Sequence, residues 1–66
     1  MDAVIIGKRL CNLRGKKSQA IVANAVGITI SALSMYESGN RIPRDEVKIK
    51  LANYYGKTVQ ELFFES

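Results

Sequence analysis

The sequence predicts an all-α fold of five short helices. Four of the five glycines, Gly15, Gly27, Gly39 and Gly56, each follow a segment with helical periodicity. A residue without a side chain can end a helix sharply at such a position. Nowhere do β-branched residues alternate with polar ones over the length of a strand. The 66 residues correspond to one domain, and a hydrophobic content of 47% is enough for one compact core.

Charge and composition limit the classes of function. The net charge of +4 favours a polyanionic partner. The chain has no histidine and a single cysteine, Cys11, so we expect no metal site, no cofactor and no internal disulfide. No nucleophile lies close in sequence to a base, so we expect neither an enzyme nor a small-molecule substrate. The single cysteine and the lack of a signal-like segment predict a cytoplasmic protein.

The first predicted helix spans about residues 2–14. A carboxylate is favourable near the positive N-terminus of a helix, and Asp2 supplies one there. Cys11 borders the inward face, and we expect it to be a small packing residue. Spacings of three and four residues define the inward stripe, which consists of Ile6, Leu10 and Leu13.

The fourth predicted helix follows a loop at residues 40–44. Pro43 suits the start of this helix, where a missing backbone N–H costs nothing. We expect Ile42 to anchor the loop in the core and Lys48 to point toward water. The inward stripe consists of Val47, Leu51, Ala52 and Tyr55.

The fifth predicted helix opens with a capping box formed by Thr58 and Glu61. Leu62 can complete the core, which leaves Phe63 and Phe64 with more apolar surface than one short helix can bury. We therefore expect these two phenylalanines to form the interface of a homodimer. The alternative is that both fold back on the first and fourth helices.

Residues 18–37 predict two helices joined by a tight turn. Ser18 caps the first helix and Gly27 ends it, and Thr29 caps the second helix at about residues 29–37. The inward residues of the pair are Val22, Ala23, Val26, Leu33 and Tyr36. The outward residues of the second helix are Ile30, Ser31, Ser34 and Met35.

This helix pair contains no charged residue over positions 18–36. The basic residues on its two sides are Arg14, Lys16, Lys17, Arg41 and Arg44. A neutral helix pair between basic segments suits a wedge that enters a DNA groove while its flanks bind phosphates. A hydrophobic hairpin in a small helical bundle has the same periodicity, and spacing alone does not separate the two. The uncharged run is long enough to span a membrane, but its polar residues and central glycine argue against it.

The pattern SQ-x2-VA-x2-VGI-T-x3-L-x2-YE-x-G resembles the helix-turn-helix of the phage lambda repressor/Cro group, the Xre family. The resemblance extends to IGKRLCNLR near the start, PR at 43–44, and LANYYGKTVQELF near the end. It implies a five-helix lambda-repressor-like DNA-binding domain over residues 1–66, with the third helix in the major groove. It also implies a transcriptional repressor or regulator that binds double-stranded DNA as a homodimer.

The resemblance assigns roles to individual residues. The family's base-reading positions fall on Ile30, Ser31, Ser34 and Met35. Its phosphate contacts fall on Gln19, Asn40, Arg41 and Arg44, and we add Lys16, Lys17 and Thr29 to this set. The connection between the first two helices is two residues shorter than the common family pattern, which brings both lysines closer to the DNA backbone. The family pattern also places Arg14 and Glu37 in contact, so we expect a partly buried ion pair between them.

The predicted reading face departs from the family in its chemistry. It has no Arg, Lys, Gln or Asn, so bidentate contacts to guanine or adenine are not available. Ile30 and Met35 can touch thymine methyl groups, and each serine can form a single hydrogen bond. The same apolar side chains would suit a protein groove. The alternative function is therefore a protein-interaction module on the same fold, such as an antitoxin or anti-repressor subunit.

Overall fold

The computed structural model describes residues 1–65, and no β-strand occurs among them. The elements in chain order are α1 Ala3–Arg14, α2 Gln19–Val26, α3 Ile30–Glu37, α4 Asp45–Tyr55 and a C-terminal π-helical turn, Gln60–Phe64. The predicted all-α fold of five helical elements is confirmed. No single helix in residues 1–65 is long and apolar enough to cross a membrane; α2 and α3 reach that length only as a pair, bent by 111°.

Side-chain caps define the starts of three helices. Asp2, Ser18 and Thr29 each accept backbone N–H groups from two or three residues further along, at 2.9 to 3.2 Å. These bonds satisfy donors that have no partner inside the helix. At the other end of α2, Gly27 has a φ of 83°, a left-handed conformation that favours glycine. Local sequence therefore sets where the chain starts and stops each helix.

All five elements contribute side chains to one core. The most buried apolar residues are Ile6, Leu10, Val22, Ala23, Val26, Leu33, Tyr36, Val47, Leu51, Ala52, Leu62 and Phe63. They include nearly all of the predicted inward stripes, while Leu13 and Tyr55 are partly buried against the cluster. Helix α1 packs against α3 and the C-terminal turn, and α2 packs against α3 and α4. Helix α3 is thus held from two sides.

Helices α1 and α3 approach closely at two glycines, Gly7 in α1 and Gly39 just after α3. A Cβ atom on Gly7 would lie 2.8 Å from the carbonyl oxygen of Tyr36, and closer still to that of Glu37. A Cβ atom on Gly39 would lie 3.0 Å from the Cα of Val4, and Gly39 has a φ of 79°. The backbone of α3 near its C-terminal end therefore rests directly on α1.

The loop before α4 differs from the prediction. Helix α4 begins at Asp45 with Arg44 at its N-cap, so Pro43 precedes the helix instead of starting it. Pro43 is almost completely buried, whereas Ile42 is 39% exposed. The expectation that Ile42 anchors the loop is wrong. The proline ring takes that place, and it brings no N–H donor into the core.

Two further side chains lie opposite to expectation. Cys11 is exposed and does not pack in the core; its Sγ lies 3.8 Å from Nη2 of Arg14. Lys48 is only 8% exposed and does not point into water. The Lys48 ammonium lies 3.5 Å from a carboxylate oxygen of Asp45 and 5.3 Å from the ring centre of Phe64.

The C-terminal turn begins with the predicted capping box. The backbone N–H of Thr58 donates to the Glu61 carboxylate at 2.9 Å, and the N–H of Glu61 donates to the Thr58 hydroxyl at 3.0 Å. Hydrogen bonds from Thr58 lower the pKa of Glu61. The segment ends in a wider π-type turn, since the N–H of Glu65 donates to the carbonyl of Gln60 at 3.0 Å.

Arg9 of α1 ties the C-terminal turn to the rest of the domain. Its guanidinium donates to the carbonyl oxygens of Leu62 at 3.2 Å and Glu61 at 3.4 Å, and also to that of Glu65. These carbonyls lie at the end of a helix, where partners inside the helix are missing. Arg9 therefore holds the end of the C-terminal turn against α1.

The two terminal phenylalanines behave differently. Phe63 is 1% exposed and belongs to the core, while Phe64 is 52% exposed. The expectation that Phe63 lies at a homodimer interface is therefore wrong, because Leu62 and Phe63 both pack inward. Of these two phenylalanines, only Phe64 keeps a large exposed surface.

Candidate nucleic-acid interface

Helices α2 and α3 form a helix-turn-helix. Their axes differ in direction by 111°, and the turn between them consists of residues 27–29. Helix pairs of this kind cross at about 90–120° through a turn of three or four residues that often contains glycine. Ile28 packs against the core from inside the turn and holds the corner. The outer face of α3 is thereby directed away from the rest of the domain.

All four predicted base-reading residues lie on this outer face. Ile30 is 51% exposed and Met35 is 40% exposed, and Ser31 and Ser34 are also exposed. None of the four side chains is charged or carries an amide. The face can therefore make apolar contacts and single hydrogen bonds, but no bidentate contact to a purine.

The expected Arg14–Glu37 ion pair is present, and it is bidentate. Nε of Arg14 lies 2.8 Å from Oε2 of Glu37, and Nη2 lies 3.0 Å from Oε1. The Glu37 side chain is 5% exposed and that of Arg14 is 18% exposed. The hydrogen bond to Glu37 raises the pKa of Arg14 above its ordinary value. Nη1 of Arg14 also donates to the carbonyl of Lys17 at 2.7 Å, so the pair joins α1, the α1–α2 connection and α3.

Gln19, a predicted phosphate contact, is bound by the same carboxylate. Its Nε2 donates to Oε1 of Glu37 at 2.9 Å, and the residue is half-buried. Gln19 is the first residue of α2, where backbone N–H groups remain available to an anion. The structure thus brings Arg14, Gln19 and Glu37 into one hydrogen-bonded network.

The remaining predicted phosphate contacts lie at both ends of the helix pair. Lys16, Arg41 and Arg44 are exposed. The Thr29 hydroxyl caps α3, accepting the N–H of Ala32 at 3.0 Å, and keeps its own proton to donate.

Asn40 and Lys17 have protein partners. Nδ2 of Asn40 donates to the Ser38 hydroxyl at 2.9 Å, which braces the loop after α3. Nζ of Lys17 donates to the Tyr54 hydroxyl at 3.2 Å and lies 5.3 Å from the centre of that ring. The sequence offers no local signal for this last contact, because the two residues are far apart in the chain.

Tyr54 and Tyr55 form an aromatic pair at the end of α4. Their ring centres are 5.0 Å apart at an angle of 71°, an edge-to-face arrangement. The Tyr55 hydroxyl is buried and has no hydrogen-bond partner among the described residues. Burial is the main cause that raises the pKa of Tyr55 to about 12. Sequence periodicity predicts that Tyr55 points inward, but it does not predict the aromatic pair.

Comparison with known proteins identifies the family. A model of the helix-turn-helix family HTH_3 matches residues 8–62, from within α1 to the C-terminal turn. Comparison with curated proteins and with solved structures gave no match. The matched region covers most of the chain and contains the whole α2–α3 unit. On this evidence, together with the geometry of α2 and α3, the chain belongs to the Xre/lambda repressor-like family of DNA-binding helix-turn-helix domains.

Proposed function

We propose that the protein binds double-stranded DNA sequence-specifically and acts as a transcriptional repressor or related regulator. Helix α3 enters the major groove, which is wide enough to admit an α-helix. The observation that carries this proposal is the uncharged, exposed face of α3 in a helix pair bent by 111°. Such a regulator works where the DNA is, and we assign it to the cytoplasm.

Phosphate contacts supply most of the affinity in this proposal. Cationic side chains on both sides of the helix pair release counterions from the DNA, so binding weakens as salt rises. The net charge of +4 acts in the same direction. The proposed phosphate-binding residues are Lys16, Lys17, Gln19, Thr29, Asn40, Arg41 and Arg44.

Base reading is modest. A bidentate side-chain contact discriminates between bases by about 1–3 kcal/mol, and the α3 face has no side chain that makes one. Ile30 and Met35 contact thymine methyl groups, and Ser31 and Ser34 each add one hydrogen bond. Sequence-dependent shape of the duplex supplies part of the selectivity.

Because one domain discriminates only weakly between bases, we expect two copies of the protein to bind one DNA site. Two linked half-sites raise affinity through effective concentration, without new base contacts. Phe64, at 52% exposed, is the candidate anchor of the homodimer, and it borders a surface groove that also includes Met1 and Ile5. Half-sites of such a dimer lie about 34 Å apart, one turn of DNA.

The homodimer is tested by mass measurement in solution. Wild type and Phe64→Ser are compared by sedimentation, with and without a duplex that carries two half-sites. We expect the wild type to bind as two copies and Phe64→Ser to bind as one. A wild type that stays monomeric at saturation would reject the dimer, and an unchanged Phe64→Ser dimer would move the interface elsewhere.

DNA binding itself is tested by selection from random duplexes with purified protein at two salt concentrations. We expect an enriched motif and weaker binding at the higher salt. The exposed apolar pair Ile30 and Met35 supports the alternative of a protein-interaction module. Failure to enrich any motif, together with salt-independent behaviour, would favour that alternative.

A further inference from the structure

The Glu37 carboxylate does more than close an ion pair. Its Oε1 accepts from Nη2 of Arg14 at 3.0 Å and from Nε2 of Gln19 at 2.9 Å, and its Oε2 accepts from Nε of Arg14 at 2.8 Å. An ionised carboxylate only accepts hydrogen bonds, so the side of the Gln19 amide that faces it must be the nitrogen. Glu37 therefore fixes which way the amide of Gln19 is turned.

Once its orientation is fixed, the amide nitrogen of Gln19 has one hydrogen left to donate to another group. The amide nitrogen carries two hydrogens, and Glu37 takes one of them. Gln19 opens α2, and the Ser18 hydroxyl accepts only the N–H of Ile21 at 3.1 Å, so other N–H groups of the first turn stay available. Gln19 is the first residue of α2, so the side chain that carries this second amide hydrogen starts from the helix end that an anion favours.

We infer that Glu37 is a positioning residue, which turns Gln19 so that its second Nε2 hydrogen donates to a DNA phosphate. This inference rests on the proposed DNA-binding function. Arg14 has a part in it, because its positive charge balances the carboxylate that would otherwise repel the phosphate. A side chain held in its binding conformation before the encounter loses less freedom on binding, so the network favours association.

The first test uses the wild-type protein and needs no substitution. NMR of ¹⁵N-labelled protein follows the two side-chain amide protons of Gln19 while a selected duplex is added. We expect one proton to be shifted downfield already in the free protein, from its bond to Glu37, and the second to shift when the duplex binds. A duplex that shifts the α3 backbone signals but leaves the Gln19 amide unchanged would overturn the inference and leave the proposed function intact. If no signal responds to any duplex, the proposed function itself fails.

The second test is a double-mutant cycle on DNA affinity with Glu37→Gln and Gln19→Met. Glutamine at 37 keeps the shape but no longer dictates the amide orientation, and methionine at 19 keeps the length but removes the amide. We expect Glu37→Gln to weaken binding about three- to tenfold, the effect of one lost hydrogen bond. In the Gln19→Met background, the same substitution should have no further effect.

A charge control distinguishes a positioning role of Glu37 from the general effect of its charge, and thermal melts distinguish it from an effect on folding. Removing a carboxylate strengthens attraction to DNA, so Glu46→Gln, at an exposed carboxylate of α4, should bind equally well or more tightly. A loss of DNA affinity with Glu37→Gln would therefore be opposite to the gain that removal of a negative charge produces. An equal loss in both backgrounds would assign Glu37 a purely structural role and reject the inference. Thermal melts of each variant confirm that it is folded at the assay temperature. If Glu37→Gln does not fold, the NMR experiment on the wild-type protein decides the question.

Discussion

The two faces of α3 differ in how firmly the protein holds them. On the inner face Leu33 is fully buried, Tyr36 is 5% exposed, and Glu37 accepts hydrogen bonds from α1 and α2. On the outer face Ile30 and Met35 keep 51% and 40% of their surface exposed. The inner face sets the position of the helix, and the outer face presents the side chains that we propose contact the bases.

This difference separates stability from recognition. Substitutions at exposed positions without special features usually change stability by less than about 0.5 kcal/mol, while losses at buried ion pairs and tight packing contacts are several times larger. We therefore expect inner-face changes to unfold the domain and outer-face changes to alter DNA selection. The four predictions below test this separation.

The largest expected effect concerns the ion pair at the end of α3. Arg14→Ala or Glu37→Ala should each lower the free energy of unfolding by about 3 kcal/mol, because each leaves an unpaired charge in a largely buried site. The double variant should lose little more than either single one. Urea denaturation of all four proteins measures this, and strictly additive losses would show that the two side chains do not act as a pair.

The next effect concerns the crossing of α1 and α3. Alanine at position 7 gains about 1 kcal/mol of helix propensity, but its Cβ would press on the carbonyl oxygens of Tyr36 and Glu37. The helices must move apart, so we expect Gly7→Ala to lower the free energy of unfolding by about 2 kcal/mol. The matched control is Asn12→Ala at an exposed position of α1, which should be neutral or slightly stabilising. A Gly7→Ala protein as stable as wild type in thermal and urea melts would contradict the close approach.

These two predictions also show what the sequence can and cannot predict. Helix ends, caps and inward stripes follow from residues a few positions apart, so local patterns predict them well. The Arg14–Glu37 contact is predicted by the family pattern and not by local spacing. The sequence does not predict the packing role of Gly7, because nothing near it in sequence indicates that another backbone rests against it.

Other contacts are not predictable from local sequence for related reasons. Arg9 binds carbonyls of the C-terminal turn, and Lys17 contacts Tyr54, and both contacts join residues that are remote in the chain. Phe63 and Phe64 are neighbours, so which of them points inward depends on the phase of one short turn. Val59, Leu62 and Phe63 follow the spacing of three and four residues and all pack on the core, so an inward stripe that includes Val59 points Phe63 inward and leaves Phe64 outside.

A smaller effect is expected for the exposed arginines after α3. Arg41→Ala and Arg44→Ala should weaken binding to all duplexes alike and lower the log–log salt dependence by about 0.9 units each. Their unfolding free energies should stay near wild type. The control is Lys50→Ala, which removes the same charge from an exposed position outside the proposed phosphate-binding set and should change the slope less. Arginine variants that altered base preference with an unchanged slope would refute this assignment.

The smallest expected effect lies on the outer face of α3 itself. Met35→Ala removes a candidate thymine-methyl contact, and Ser34→Ala removes one hydrogen bond, so each should shift the preference at single base pairs by about 1 kcal/mol or less. Affinities for a series of duplexes with single base-pair changes measure this shift. Salt dependence and unfolding free energy should not change, because neither side chain pairs with phosphate or fills the core. Ile21→Ala, at a 57% exposed position of α2, is the matched control and should leave base preference unchanged. If Met35→Ala and Ser34→Ala weaken binding to every duplex equally, the outer face holds the DNA without reading it.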